Sequence, residues 1–226
     1  MALGTCVHKT IEKIHPQLES TGDVDLARVT ETYKHVWSSE VEKKDTVIFS
    51  RDRDLNWYYD KGLDGIKWYT ENYEYAGSTI FGELGLEFEI DGVKFIAKPD
   101  RVTTMGTGKY LIHDYKTSSS PPTPYSLKSD RQLPMYQYAL QNSVDGVEEV
   151  ELIWHYVCLH QNYRAIKKDH EVRSVVESLL HDVQHIETTE EFTPSPSALC
   201  HWCLYWDKCP AKGFKQRKII ARHVVD

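Results

Sequence analysis

The order of periodicities along the chain predicts a mixed α/β domain with a central sheet flanked by helices. Three observations carry this. The first third of the chain repeats apolar residues at helical spacing. The stretch from Leu84 to Lys116 then alternates as strands do, with an Asp91-Gly92 turn inside it. Beyond it, helix, strand, strand and helix patterns follow one another.

Residues 4–19 read as a helix, with Thr5 as candidate N-cap and Val7, Ile11, Ile14 and Leu18 on one face. Pro16 is expected to end its regular part, because proline lacks the amide that the helix ladder needs. Residues 24–43 form a second helix on the stripe Val24, Leu26, Val29, Tyr33, Val36 and Trp37. Asp54 to Tyr75 is a third helical region, rich in Trp and Tyr, and Gly62 and Gly65 argue against its being unbroken. Leu84 to Ile90 is a strand with Leu84, Leu86, Phe88 and Ile90 on one face. Asp91-Gly92 turns it back into Val93 to Ala97, which runs on into Lys98-Pro99-Asp100-Arg101. Gly106-Thr107-Gly108 is a further turn, and Lys109 to Lys116 a third strand.

Ser118 to Ser129, with three prolines, reads as a flexible loop. Asp130 to Asn142 is a helix capped by Ser129 or Asp130. Val150 to Val157 is an apolar strand, and Tyr163 to Lys168 its hairpin partner. Glu171 to Ile186 is a helix on Val172, Val175, Val176, Leu179, Leu180 and Val183. Pro194 and Pro196 mark the link to a cysteine segment. No internal repeat is present.

The 226 residues suit a single domain over 1–226, with a helical insertion at about 20–76 and the cysteine segment at about 194–212. Hydrophobic residues at 40% and charged residues at 27% are those of a soluble globular chain. No apolar run has the length of a membrane span, and the first residues lack the basic start and apolar stretch of a signal peptide. The expectation is a cytoplasmic protein. A net charge of −7 argues against a surface coated in nucleic acid. Lys208, Lys212, Lys215, Arg217, Lys218 and Arg222 form a local basic stretch, either a solvated tail or a phosphate-contacting one. Three of the five cysteines crowd near the C-terminus, which in a reducing compartment points to metal binding and not to disulfides.

The chemistry concentrates at Asp100, Asp114 and Lys116. Asp100 and Asp114 fall at the ends of neighbouring strands, and Lys116 is two residues past Asp114. Side chains two apart on a strand share a face. Tyr110 and Ile112 precede Asp114 and Lys116 on that face, while Leu111, His113 and Tyr115 point the other way. Two carboxylates with an adjacent ammonium suit a hard divalent cation beside a phosphate. Lys116 would orient a water or stabilise charge. The bland alternative is a weak surface ion pair. Glu87 and Glu89 alternate against an apolar strand face and receive no catalytic role.

Lys98-Pro99-Asp100-Arg101-Val102 followed by His113-Asp114-Tyr115-Lys116-Thr117 resembles the PD-(D/E)XK nuclease superfamily. The closer likeness is to its RecB-like branch, which includes the AddB nuclease domain and the CRISPR-associated RecB-like exonucleases. Gly4-Thr5-Cys6-Val7-His8 with Ile11-Glu12 is similar to that branch's N-terminal helix motif. Gln132-Leu133-Pro134-Met135-Tyr136 is similar to its QxxxY helix. Cys200-x-x-Cys203-x5-Cys209-Pro210 looks like its C-terminal cysteine motif. The resemblance implies a restriction-endonuclease-like core and a DNA-cutting activity that needs Mg²⁺ or Mn²⁺.

It also implies roles. His8, Asp100 and Asp114 would ligate the metal, with the Tyr115 carbonyl as a further ligand; an imidazole in the set suits Mn²⁺ and admits Mg²⁺. Glu12, one turn after His8, would orient it or pair with a lysine. Gln132 and Tyr136, one turn apart, would bond a DNA phosphate or a metal-bound water, beside the alternative of a core tyrosine with a solvated glutamine. Arg101 and Arg131 are candidate phosphate contacts. Trp57, Tyr58, Tyr59, Trp68, Tyr69 and Tyr73 are read as core, with base stacking as the alternative.

In the branch resembled, three C-terminal cysteines and one near the N-terminus hold a [4Fe-4S] cluster. Here the N-terminal cysteine departs from the pattern, since Cys6 is the sole candidate and lies in the helix of His8. Cys158 reads as a buried thiol. The open alternatives are a cluster completed by Cys6 or another ligand, a zinc site helped by His201, or cysteines packed among Trp202, Tyr205 and Trp206. The leading function is an exonuclease on single strands or duplex ends. A non-catalytic DNA-end binding or assembly module and a structure-specific endonuclease remain beside it. A protein partner in a repair, replication or CRISPR assembly fits each.

Overall fold

A computed structural model describes residues 2–42, 46–48, 53–74, 77–81, 85–197, 200, 203, 205, 208–211 and 221–223. It opens with α1 (Ala2–Thr21), α2 (Leu26–Trp37), a π-helical turn (Ser38–Glu42), β1 (Thr46–Ile48) and α3 (Leu55–Glu71). Then come β2 (Ser78–Phe81), β3 (Leu86–Ile90), β4 (Val93–Ala97), β5 (Arg101–Gly106) and β6 (Lys109–Lys116). The chain continues through α4 (Pro124–Lys128), α5 (Gln132–Ser143), β7 (Glu149–Tyr156), a 3₁₀ turn (Val157–Leu159), β8 (Gln161–Ile166), α6 (Asp169–Thr188) and β9 (Ala221–His223).

The centre is a five-stranded mixed sheet in the order β2-β5-β6-β7-β8. Only the β6–β7 pair is parallel, with Asp114 opposite Trp154 and Lys116 opposite Tyr156. The crossover between them carries α4 and α5, as a parallel pair requires. β3 and β4 form a separate hairpin with Phe88 opposite Phe95, and β1 pairs with β9.

β6 is buried on both faces, and its alternation sorts two cores. Ile112, with Val102, Leu152 and Trp154, packs on Leu133 and Leu140 of α5. Tyr115 points the other way, into the core of α1, α2 and α3 with Val7, Ile11, Tyr33 and Ile66. The expected division of β6 into two faces holds.

Several local expectations are corrected. α1 runs through Pro16 to Thr21. Pro16 lies on the exposed side of the helix, while buried Ile14, His15 and Leu18 hold the helix to the core. α3 is unbroken, and Gly62 and Gly65 are buried points of close approach within it. A Cβ at Gly65 would lie 2.9 Å from the Val157 carbonyl oxygen, so only glycine lets the 3₁₀ turn pack there. The helix expected over 24–43 ends at Trp37 and passes into the π turn. The 118–129 stretch contains α4, started by Pro124 at its first turn and by Thr123, whose hydroxyl accepts from the Ser126 amide at 3.0 Å.

β5 and β2 are strands that the apolar pattern did not announce. Arg101, Val102 and Thr103 are all buried, so β5 shows no polar–apolar alternation. The aromatic stretch of α3 is core: Tyr69 is buried, and Tyr58, Tyr59, Trp68 and Tyr73 pack against the same cluster. Trp57 lies under the Arg53 guanidinium at 4.2 Å.

Candidate active site

α1, the β4–β5 junction, β6 and α5 bring the candidate residues together. Asp100 sits just before β5, and its carboxylate is fixed from two sides. The Tyr115 amide donates to Oδ2 at 2.7 Å, and His8 Nδ1 donates to Oδ1 at 3.0 Å. His8 Nε2 donates to the Tyr115 carbonyl at 2.6 Å. Both ring nitrogens therefore face acceptors, which requires the doubly protonated ring. Burial works against that charge. The hydrogen bond and charge of Asp100, the Tyr115 carbonyl and the charge of Asp114 outweigh it and raise the His8 pKa above its usual value.

Asp114 is 3% exposed. Burial pushes its carboxyl up to about 6, even though the Lys116 ammonium beside it pulls the other way. Lys116 Nζ approaches Asp114 Oδ2 at 2.6 Å, yet that oxygen accepts no well-directed hydrogen bond. Lys116 also donates to Gln132 Oε1 at 2.8 Å, and Gln132 Nε2 donates to the Tyr136 hydroxyl at 2.8 Å. The carbonyl end of Gln132 must face the lysine, because an ammonium only donates. A line of contacts thus runs from Asp114 through Lys116 and Gln132 to Tyr136. The N-cap of α5 is Arg131 and not Ser129 or Asp130 as expected, although Leu133 N donates to Asp130 Oδ1 at 2.9 Å.

His8 touches both Asp100 and the Tyr115 carbonyl, and the charge of Asp114 acts on His8. Among the described residues, no group of three or more His, Cys, Asp or Glu side chains is arranged to hold a metal ion. His8 itself bridges Asp100 and the Tyr115 carbonyl. The donors nonetheless fit a hard divalent cation. They comprise two carboxylates, a carbonyl and an imidazole, and the buried Asp114 Oδ2 lacks a hydrogen bond. The His8 ring lies between two members of that oxygen set, Asp100 and the Tyr115 carbonyl.

Below these residues lies a buried polar network that the sequence did not announce. Arg101 is 3% exposed, so it is not a phosphate contact, and that expectation is corrected. Its guanidinium donates to His15 Nδ1 at 2.8 Å and to His113 Nε2 at 3.3 Å, with Glu19 at 3.5 Å. Arginine cannot accept, so both of those ring nitrogens are unprotonated. His113 Nδ1 then donates to His155 Nε2 at 3.0 Å, and His155 Nδ1 donates to Asn162 Oδ1 at 2.9 Å. His15 Nε2 meets the Tyr69 hydroxyl at 2.7 Å and that of Tyr115 at 3.1 Å. Burial, seconded by Arg101, holds His15 down to about 2 and His113 well below its usual value. Burial also lowers His155 to about 4. The three imidazoles are neutral, and each tautomer follows from Arg101. The network ties α1 to β5 and β6, and so sets His8, two turns before His15, against Asp100. A signal was present in sequence: His15 lies on the face of His8, and His113 and His155 interrupt apolar strands.

Glu12 lines the same cleft as His8, with His15, Glu19 and Asp100, on its exposed side. Arg131 pairs with Asp182 of α6 at 2.7 Å.

A model of the PD-(D/E)XK nuclease superfamily matches residues 1–210. The chain belongs to the PD-(D/E)XK nuclease superfamily. The match covers all the residues above, and the five-stranded mixed sheet flanked by helices is the restriction-endonuclease-like core. It does not distinguish the RecB-like branch from others of the superfamily. No curated protein matches the chain. Among the described residues no helix is long and apolar enough to cross a membrane.

The cysteines are less assembled. Cys6 is completely buried in the α1–α3 core, and Cys158 is buried as expected, its thiol pushed up to about 11 by burial. Cys200, Cys203 and Cys209 are partly exposed in a segment of turns, where the Ser197 amide donates to Cys200 Sγ at 3.3 Å. The described residues do not bring four thiols together. Tyr205 is 71% exposed. His201, Trp202 and Trp206, the tail lysines 212, 215 and 218, and Arg217 lie outside the described residues.

Proposed function

We propose that the protein is a metal-dependent DNA nuclease of the RecB-like branch, acting as an exonuclease on single strands or duplex ends. The observation that carries this reading is the line Asp114–Lys116–Gln132–Tyr136 set against Asp100, His8 and the Tyr115 carbonyl. Asp100, Asp114, the Tyr115 carbonyl and His8 would hold Mg²⁺ or Mn²⁺. Such a cation, when bound, supplies an acidified water and offsets charge on the phosphate.

The chain's own groups supply the rest. Lys116 has three N–H donors. The ion pair with Asp114 and the hydrogen bond to Gln132 hold the ammonium in place, with N–H left to offer a phosphate oxygen or the attacking water. It stabilises the charge that grows as the new P–O bond forms and the leaving P–O bond breaks. Gln132 receives from Lys116 and donates to Tyr136, so the Tyr136 hydroxyl keeps its own proton to donate to a phosphate oxygen. For His8 to ligate through Nε2, its ring must give up a proton and its bond to the Tyr115 carbonyl.

That engagement of both ring nitrogens favours a second reading, a non-catalytic DNA-end binding or assembly module. A time course with end-labelled single- and double-stranded DNA in Mn²⁺ separates the two. The nuclease reading requires metal-dependent cleavage that Asp114→Ala abolishes. Short oligomers or mononucleotides mark an exonuclease, and discrete fragments an endonuclease. Binding without cleavage by the wild type, indifferent to metal, sinks the nuclease reading.

The Cys200, Cys203 and Cys209 segment is proposed as a thiolate metal site, holding a [4Fe-4S] cluster or zinc. Cys6, buried in α1, or another ligand would complete the set. Iron and zinc content of anaerobically purified protein tests this, and metal-free preparations of full stability would refute it.

A further inference from the structure

Next to Gln132 and Tyr136 opens a groove that none of these roles uses. The β3–β4 hairpin supplies Phe88 and Phe95, whose rings stack at 5.5 Å and 14°. α5 supplies Met135 and α6 supplies Leu179. The groove encloses about 250 Å³, just below the usual span of small-ligand sites. Its lip carries Ile96, 62% exposed. Gln132, Tyr136 and Arg131 also line it. Arg131 gives one N–H to Asp182, while its Nε is buried with no hydrogen bond.

Two chemistries therefore meet along one edge. Lys116 and Arg131 are cationic and suit a phosphate. The slot beside them is apolar and aromatic-walled, which suits a flat heterocycle. Gln132 and Tyr136 belong to both, so an occupant of the slot is continuous with whatever Lys116 holds.

We propose that this groove is a nucleoside subsite: it takes the base of one nucleotide beside the scissile phosphate, unstacked from its strand. The inference rests on the nuclease reading of the adjacent site. A base still paired in a duplex has no access to the slot, so the groove selects single strands or frayed ends.

The test uses the full chain and a set of single-stranded oligonucleotides, each with one abasic residue, walked along the strand. In Mn²⁺ the wild type should show KM raised about tenfold at one position next to the cut and little change elsewhere. Leu179→Trp, which fills the slot, and Phe95→Leu, which removes an aromatic wall, should shrink that penalty. A flat abasic scan with the wild type overturns the subsite while the nuclease reading stands. So does a penalty that persists undiminished in a folded Leu179→Trp. If no cleavage occurs, the nuclease reading falls, and the groove is judged by titrating 2-aminopurine oligonucleotides in EDTA. A fluorescence change lost in Leu179→Trp supports a base-binding slot, and identical titrations of both proteins refute it.

Discussion

Replacing Asp114 by Asn should stabilise the metal-free protein at neutral pH while destroying its activity. The carboxyl is raised from 3.8 to about 6 by burial that Lys116 does not fully offset. Each unit is worth about 1.4 kcal/mol, so ionisation costs the fold up to about 3 kcal/mol. With the side chain 4% exposed, little of this is lost to solvent screening. The fold prefers the protonated acid. The associated stability is complete below about pH 4 and is lost as pH rises through about 6.

Asn is the neutral form at every pH. It leaves Lys116 its hydrogen bond to Gln132 but removes the opposing charge, at a cost of about 1 kcal/mol for a group that retains solvent contact. The net gain at pH 7.5 is about 2 kcal/mol, or about 4–8 °C in Tm for a chain of this size. The assay is thermal unfolding by circular dichroism in EDTA, for wild type and Asp114→Asn, from pH 4.5 to 8. The gap between them should be small at the acid end and open through pH 6. Adding Mn²⁺ should raise the wild type and leave the variant where it was. An Asn variant that melts below the wild type at pH 7.5 in EDTA, or a gap independent of pH, would refute the reasoning.

Lys116→Ala should lower single-turnover cleavage at saturating Mn²⁺ by about 10²–10³, the usual loss for one donor aimed at developing charge; unchanged turnover would remove Lys116 from the chemistry. Arg101→Lys should cost about 2–4 kcal/mol in urea unfolding, because His15 and His113 are served by two separate nitrogens of the guanidinium fork, a geometry that one ammonium does not reproduce. It should also raise the Mn²⁺ concentration needed for cleavage, since the network sets α1 against β5. Gly65→Ala should destabilise by about 1–3 kcal/mol by denaturant titration, the clash with the Val157 carbonyl outweighing a helix-propensity gain of about 1 kcal/mol.

The site was legible where chemistry rides on regular spacing. Period two on β6 puts Asp114 and Lys116 on the α5 side and Tyr115 on the α1 side. One helical turn between Gln132 and Tyr136 sets up their hydrogen bond. Legibility failed where polar groups are buried. β5 shows Arg101 and Thr103 at core positions, which the apolar pattern reads as surface. Their satisfaction depends on His113, Thr103 and His15 meeting in space, and no local window contains that information. Gly62 and Gly65 failed for a related reason. Propensity counts a helical glycine as a weakness, whereas packing against Tyr33 and the Val157 backbone makes the missing Cβ a requirement.

His8 meets Asp100 across 92 positions of sequence and the Tyr115 carbonyl across 107. The imidazole is made before its partners, which emerge only after the helices of the first third and the hairpin between them. Contacts so distant in sequence are closed late, because the chain must first give up the entropy of long loops. A partly folded or nascent form therefore carries Asp114 and Lys116 on a forming strand without the first helix docked against them. Under the nuclease reading, damage to DNA is withheld until the outermost ends of that loop have met, and the folding reaction itself acts as the safety catch on the enzyme.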